Sequence, residues 1–286
     1  MGKIRIWLKL FRVNQYTKNC FVFASLLFSN NLLDLNKVAY STMAYIYFCL
    51  ISSAVYIVND IADKACDCKH PLKKYRPIAS GAIKVNEAYV VSILFTSVAL
   101  LLSLLINVKL FFILLLYLLN NILYSLITKT YALIDVFQIA FGFILRVIAG
   151  SVVINVTPSS WILLCTLFLS LFLGFGKRRG EVIESRMNAD NLRKSLNGYT
   201  LDLLDEYLNV SLICTIVFYA IYTIIGTAYD SLYITNVFVV FALFRYKFLL
   251  STREGGMNPS EMVFSDVQIL ISIILWTIFT VVIVIF

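Results

Sequence analysis

Asn59-Asp60-Ile-Ala-Asp63-Lys-Ala-Cys-Asp67 sets three carboxylates and a carboxamide within one short stretch. On a helix Asp60, Asp63 and Asp67 share a face at i, i+3 and i+7, with Asn59 on its edge four residues before Asp63. Three carboxylates so placed repel one another, and at the mouth of a membrane helix they are costly unless a cation compensates them. Hard oxygen donors that leave coordination incomplete suit Mg²⁺ carrying a diphosphate. The plainer alternative, a solvated acidic helix end, is disfavoured because the chain turns basic at once: Lys69-His70-Pro71-Leu-Lys73-Lys74-Tyr-Arg76-Pro77-Ile-Ala-Ser-Gly81. The prolines and Gly81 impose turns, and Lys73, Lys74 and Arg76 bring cations close to the carboxylates. His70 reads as a turn residue before it reads as a base.

A second polar stretch runs Gly176-Lys177-Arg178-Arg179-Gly180-Glu181-Val-Ile-Glu184-Ser-Arg186-Met-Asn188. Glu181, Glu184 and Asn188 repeat the three-plus-four spacing of the first motif behind three consecutive cations. This is the pattern of a second phosphate-binding cluster, expected to face the first. Lys177, Arg178 and Glu181, nearest the apolar run, are read as functional; Arg186, Arg193 and Lys194 are read as background positive charge. Between the two stretches, Asp135, Gln138, Gly142 and Arg146 form one helical stripe. Intramembrane ionisable groups are functional candidates, and Asp135 lies near enough to the polar end to reach the site. Arg146 is roughly 22 Å beyond Tyr131 at about 1.5 Å per residue, where a structural ion or dipole contact explains it equally well.

The elements that must position these groups follow from composition. Of 286 residues, 60% are hydrophobic and 14% charged, far from a soluble domain, so the lipid bilayer is the main solvent. Windows of about 20 apolar residues predict nine transmembrane helices near 14–33, 38–58, 85–106, 108–127, 131–154, 158–176, 203–226, 231–250 and 265–286, all in a single membrane domain, 1–286. Short connections alternate with long polar ones, the catalytic loops being 59–84 and 177–202. All but Lys37, Lys109 and Arg146 of the 24 Lys and Arg residues fall on the side of the N-terminus and the long loops. That side is therefore cytoplasmic, with the C-terminus outside. The net charge of +8 is a topology signal, and no soluble basic domain exists to bind nucleic acid. Residues 1–18 read as an amphipathic lead-in, not a signal peptide, and Ile6 stands where myristoylation would need Ser or Thr. The six cysteines lie mostly in apolar runs and read as reduced thiols.

The Asn-Asp-x-x-Asp-x-x-x-Asp motif after a transmembrane helix resembles the UbiA-type prenyltransferase superfamily. The chain is more similar still to its decaprenyl-phosphate phosphoribosyltransferase branch. That similarity covers Arg12-Val-Asn-Gln15-Tyr-Thr-Lys18-Asn19, the stretch from Asn59 to Gly81, and Tyr124-Ser125 with Lys129 and Asp135. It continues through Gly142 to Gly150, Gly176-Lys177-Arg178 with Glu181, and Arg245-Tyr246. Aromatic prenyltransferases tend to carry a second aspartate-rich motif where this chain has Lys-Arg-Arg-Gly-Glu.

The resemblance implies an all-α bundle of nine transmembrane helices in the cell membrane, with a cytoplasmic-side cavity. It also implies transfer of 5-phosphoribose from phosphoribosyl diphosphate to a polyprenyl phosphate for cell-envelope glycan precursors, a homo-oligomer being compatible with this. Mg²⁺, or Mn²⁺ in its place, would be held by Asn59, Asp60, Asp63 and Asp67. Gln15, Lys18, Asn19, Tyr56, Lys73, Lys74, Arg76, Tyr124, Lys129, Asp135, Lys177 and Arg178 would meet the substrates, with Glu181 on ribose or metal. An ionised phosphate acceptor needs no general base. The rival is a prenyltransferase in which the same site ionises a prenyl diphosphate; it calls for aromatic groups around an allylic cation and fewer Lys and Arg. A transporter is disfavoured, because its charges would gather at the midplane and not at one interface.

Overall fold

Helix starts are written into the sequence by short polar side chains. Asp34 accepts from the backbone N–H groups of Asn36 and Lys37, Asn107 from Lys109, Thr200 from Leu203 and Asp266 from Ile269, at 2.8–3.3 Å. Each satisfies donors that the first helical turn leaves open. The computed structural model describes residues 2–69, 72–188, 196, 198–252 and 259–286, without the side chains of 186–188 and 259–261. His70, Arg193 and Lys194 lie outside the described residues, as do the side chains of Arg186 and Asn188. Described residues form helices α1 (Lys3–Phe11), α2 (Ala24–Leu27), α3 (Leu35–Ala62), α4 (Lys64–Asp67), α5 (Val85–Ile106), α6 (Val108–Leu126), α7 (Ile134–Val153) and α8 (Ser160–Asn188). They continue with α9 (Leu201–Ile225), α10 (Asn236–Thr252), α11 (Pro259–Ser265) and α12 (Val267–Ile285), and contain no strand.

Eight of the nine expected spans are helices long and apolar enough to cross a membrane among the described residues. Their outer faces carry bare apolar side chains such as Leu105, Phe112 and Ile225, which only lipid can cover. The chain is an integral membrane protein. The first expected span, 14–33, differs. Val13–Phe23 winds as a 3-10 helix and only Ala24–Leu27 continues as α-helix. Polar residues cause this: the Tyr16 hydroxyl bonds the Ser53 hydroxyl at 2.8 Å, and the Asn19 amide donates to Ser52 at 3.3 Å. Such side-chain bonds favour the tighter winding over a regular ladder.

The chain gathers into two compact units. One comprises Met1–Leu26, Asp34–Thr128 and Leu145–Val156; the other comprises Leu27–Leu33, Lys129–Ile144 and Thr157–Phe286. In the first, α3 packs on α5, α6, α1 and the 3-10 run. The amphipathic α1 buries Leu10 against Ile57, Ile78, Ile83 and Ala88 and leaves Ile4, Lys3 and Arg5 exposed. In the second, α8 packs along α9 and α10 along α12, around Phe172, Phe175, Leu204, Leu208 and Tyr246. All six cysteines are free thiols.

Gly150 in α7 lies so close to the 3-10 run that a Cβ added there would overlap the backbone carbonyl of Val22. Backbone cannot give way as a side-chain tip can, so Gly150→Ala overpacks the first unit at a cost of about 1–3 kcal/mol. Thermal unfolding in detergent is expected to show a lowered midpoint, and an unchanged midpoint would mean that the 3-10 run slides freely.

Candidate functional site

The acidic motif lies where α3 gives way to α4. The helix ends at Ala62, Asp63 caps it, and the Asp63 backbone N–H returns to the Asn59 carbonyl at 2.9 Å. Asp60 is 3% exposed and receives two guanidinium groups, Arg12 and Arg76, the latter at 3.3 Å. The same Arg76 Nη1 donates to Asp67 Oδ2 at 2.7 Å, so one arginine bridges two carboxylates of the motif. A buried carboxylate is tolerable only with such pairing.

Arg12 reaches Asp60 through a backbone break. Its φ of 53° places it in the left-handed region between α1 and the 3-10 run, a conformation that costs a residue with a side chain about 1–2 kcal/mol. The turned-back side chain lies over the Tyr56 ring, 4.8 Å from its centroid. Sequence reasoning placed Arg12 only within a wider resemblance; its pairing depends on a positive φ for which an arginine gives no sequence signal.

Arg76 is carried by a turn whose backbone is closed by Ser80 N–H to Arg76 O at 2.9 Å and Ile83 N–H to Pro77 O at 3.1 Å. Gly81 takes a φ of 75° there, which suits glycine alone. Lys73 and Lys74 are exposed on the preceding 3-10 turn, and Lys9 donates to the Tyr75 carbonyl at 3.3 Å. Asp63 is half-buried. No three His, Cys, Asp or Glu side chains are grouped for a metal among the described residues; Arg76 takes the bridging position instead. The donor set nonetheless fits a hard divalent cation, because the Asn59 side-chain oxygen is buried with no hydrogen-bond donor beside a carboxylate-rich turn of hard oxygens.

Deeper in the same unit, Asn19 is buried, and its side-chain oxygen accepts from Arg146 Nε at 2.8 Å. Arg146 Nη2 donates to the Tyr117 hydroxyl at 2.8 Å while the guanidinium lies over the Tyr117 and Phe48 rings. The structural contact allowed for Arg146 is thus present. Gln15, Lys18 and Tyr124 are half-buried in this unit.

The second unit holds the Lys-Arg-Arg-Gly-Glu stretch inside α8, as continuous helix. Arg178 is 1% exposed, among the largest fully buried side chains; its Nε lies 2.9 Å from Asp135 Oδ2, and it also pairs with Glu181. Lys177 is more open and 3.9 Å from Glu181, while Arg179 takes Asp205 at 2.8 Å and the Leu250 carbonyl at 2.8 Å. Glu184 is exposed and takes no part in this cluster. Asp135 is aimed by Leu133, whose φ of 66° is left-handed and whose N–H donates to the Tyr199 hydroxyl at 2.7 Å. Burial pushes the Tyr199 hydroxyl up to about 12, so it stays protonated. Lys129 is half-buried in a short 3-10 turn, Thr128–Thr130.

Residues 20–178 match the UbiA prenyltransferase family. Among curated proteins, the decaprenyl-phosphate phosphoribosyltransferase of Corynebacterium glutamicum is 30% identical over 281 residues, 94% of this chain and 83% of that protein. The enzyme of the same name from Mycolicibacterium smegmatis is 32% identical over 219 residues, 75% of this chain and 69% of that one. Among solved structures, a UbiA homolog from Archaeoglobus fulgidus bound to GPP and Mg²⁺ superposes with a TM-score of 0.75 at 17% identity, covering 98% of this chain and 99% of that one.

Removing one partner of a buried ion pair strands the other, at a cost of about 3–5 kcal/mol. Arg178→Ala is therefore expected to lower the unfolding midpoint in detergent sharply through Asp135, whereas the half-exposed Lys177→Ala should cost no more than about 1 kcal/mol. Equal midpoints for the two variants would contradict the pairing.

Proposed function

Because the chain belongs to the UbiA prenyltransferase family, we propose that it is a Mg²⁺-dependent transferase that moves 5-phosphoribose from phosphoribosyl diphosphate to a polyprenyl phosphate. Two similar proteins bear the name decaprenyl-phosphate phosphoribosyltransferase, which supports a phosphoribosyl donor and a polyprenyl-phosphate acceptor; we propose in addition that the product feeds cell-envelope glycan synthesis. The observation that carries this reading over a prenyl donor is the company the carboxylates keep. Asp60 and Asp67 sit among guanidinium groups, with Lys73 and Lys74 on the adjoining loop, whereas an allylic cation would call for rings without competing positive charge.

In the reaction the C1–O bond to diphosphate breaks and its electron pair leaves with the diphosphate. An oxygen of the lipid phosphate, already ionised, forms the new bond to C1, so no residue has to take a proton. Asn59, Asp60, Asp63 and Asp67 would hold Mg²⁺, or Mn²⁺, which supplies charge stabilisation to the leaving diphosphate. Arg12 and Arg76, released from the carboxylates, would bind diphosphate oxygens, with Lys73 and Lys74 beside them. Of the second unit's residues, Lys177 would bind a phosphate and Glu181 the ribose or a metal, with Arg178 held against Asp135 to position Glu181. Gln15, Tyr56, Tyr124 and Lys129 complete the proposed substrate contacts. The N-terminus and these residues would face the cytoplasm and the C-terminus the outside, a sidedness supported by the Lys and Arg bias.

Purified protein incubated with Mg²⁺, labelled phosphoribosyl diphosphate and polyprenyl phosphate is expected to carry label into the organic phase. Label entering lipid only from a prenyl diphosphate would reverse the assignment. Asp63→Asn and Asp67→Asn should each abolish turnover in folded protein, because they remove stabilisation worth several kcal/mol; EDTA should do the same, reversibly. Wild-type rates in both variants would end the metal-site proposal. For sidedness, single cysteines at Lys37, Lys109 and Asp230 should react with impermeant thiol reagents in intact cells, and a cysteine at Lys74 should not.

A further inference from the structure

The first unit contains cations that the acidic motif does not use. Arg12 is at the level of Asp60, but Arg146 is bonded to Asn19, whose other partners are Ser52 and Cys49 on α3. From Ser52 to Asp60 the helix climbs about 12 Å, at 1.5 Å per residue, toward the end bearing the motif. Lys18, adjacent to Asn19, feels the positive charge of both Arg146 and Arg12. Along the 3-10 run that starts after Arg12, Lys18 comes immediately before Asn19, so it follows Arg12 and precedes the residue that Arg146 holds. Among the described residues no carboxylate lies within ion-pair distance of Lys18. Arg12 has Asp60 as its counter-ion, which leaves Lys18 and Arg146 as neighbouring like charges inside a membrane unit, held against their own repulsion. An anion entering between them relieves that repulsion.

The chemistry of the two substrates says which anion. This step rests on the phosphoribosyl transfer proposed above. The donor's diphosphate and the acceptor's phosphate must both meet C1 of the ribose, at the level of Asp60. Beyond its phosphate the acceptor is hydrocarbon, and a prenyl diphosphate is hydrocarbon beyond its diphosphate. Only phosphoribosyl diphosphate has a second anionic group at the far end from the reacting carbon. We propose that Lys18, with Arg146 behind it, forms the subsite for the 5-phosphate of the donor, and that this pair excludes prenyl diphosphates by leaving their apolar tail against buried charge. Lys18 contacts the phosphate. Arg146 is a positioning residue: its Nε–H fixes the Asn19 amide and thereby the stretch of 3-10 helix that aims Lys18. Stacking on Tyr117 and Phe48 keeps its planar fork in one orientation, which a lysine cannot reproduce.

The test separates the two ends of the donor on the full-length protein in detergent. Ribose 5-phosphate carries only the far phosphate, and inorganic diphosphate with Mg²⁺ carries only the near one; binding of each is followed by titration calorimetry. Lys18→Gln and Arg146→Met are expected to weaken ribose 5-phosphate roughly ten- to hundredfold, as loss of a charge-assisted contact does. Diphosphate binding should change by less than about twofold, as for a distant charge, and the KM for polyprenyl phosphate should be unchanged. Arg146→Lys should restore less than half of the loss. If Arg146→Met does not fold, Lys18→Gln at its half-exposed position carries the same comparison. Equal weakening of both ligands, a rise confined to the KM for polyprenyl phosphate, or a wild type that does not bind ribose 5-phosphate would each overturn the assignment. A wild type that binds ribose 5-phosphate yet transfers no label to lipid would sink the proposed activity and leave this subsite standing.

Discussion

A carboxylate 3% exposed at the end of a membrane helix is the constraint from which the first unit follows. Asp60 cannot be left alone there, because the penalty for a lone buried charge exceeds what the packing around it returns. Two arginines answer it from opposite directions in sequence, Arg12 from before α3 and Arg76 from after it. The amphipathic α1 has to fold back on Ile57, Ile78 and Ile83 to bring the first, and the Gly81 turn has to close to bring the second. One ionised group thus ties the N-terminal lead-in and the polar loop to the same spot.

The second unit solves the complementary problem. There the buried charge is the cation Arg178, and Asp135 and Glu181 converge on it. The compensation runs from a left-handed Leu133 through the start of α7 and into α8. In both units an ion pair, not an apolar cluster, decides where a loop or helix end must go. The difference lies in what can be exchanged. Arg12 and Arg76 are about one-quarter exposed and can be drawn away by a competing anion, whereas Arg178 is sealed.

Much of this was legible in the sequence because lipid makes hydropathy and charge unusually direct reporters. Eight spans and the first acidic motif follow from runs of apolar residues and from carboxylates at helical spacing. The 3-10 winding within the first span was not legible, because its polar residues find partners on α3, through Tyr16 with Ser53 and Asn19 with Ser52, and no window average registers such partners. The second motif was read as a loop, yet α8 continues through Lys177-Arg178-Arg179, since Lys, Arg and Glu all favour helix and Asp135, Glu181 and Asp205 compensate the three cations. Arg12 and Arg146 could be counted as charges but not paired, because pairing depends on a positive φ in one case and on a polar group 127 residues away in the other.

Position 12 illustrates a conflict written into a single residue. Its backbone asks for glycine, and its side chain must be a planar cation long enough to cross the Tyr56 ring and reach Asp60. Glycine would relax the turn and strand the carboxylate; lysine would keep the charge but lose the flat stacking; asparagine would suit the turn and carry no charge. Natural variation at this site should consequently be narrow even though a quarter of the side chain is open to solvent. Drift here is constrained twice, because the aspartate whose neutralisation could compensate for a lost arginine is also one of the carboxylates proposed to hold the metal.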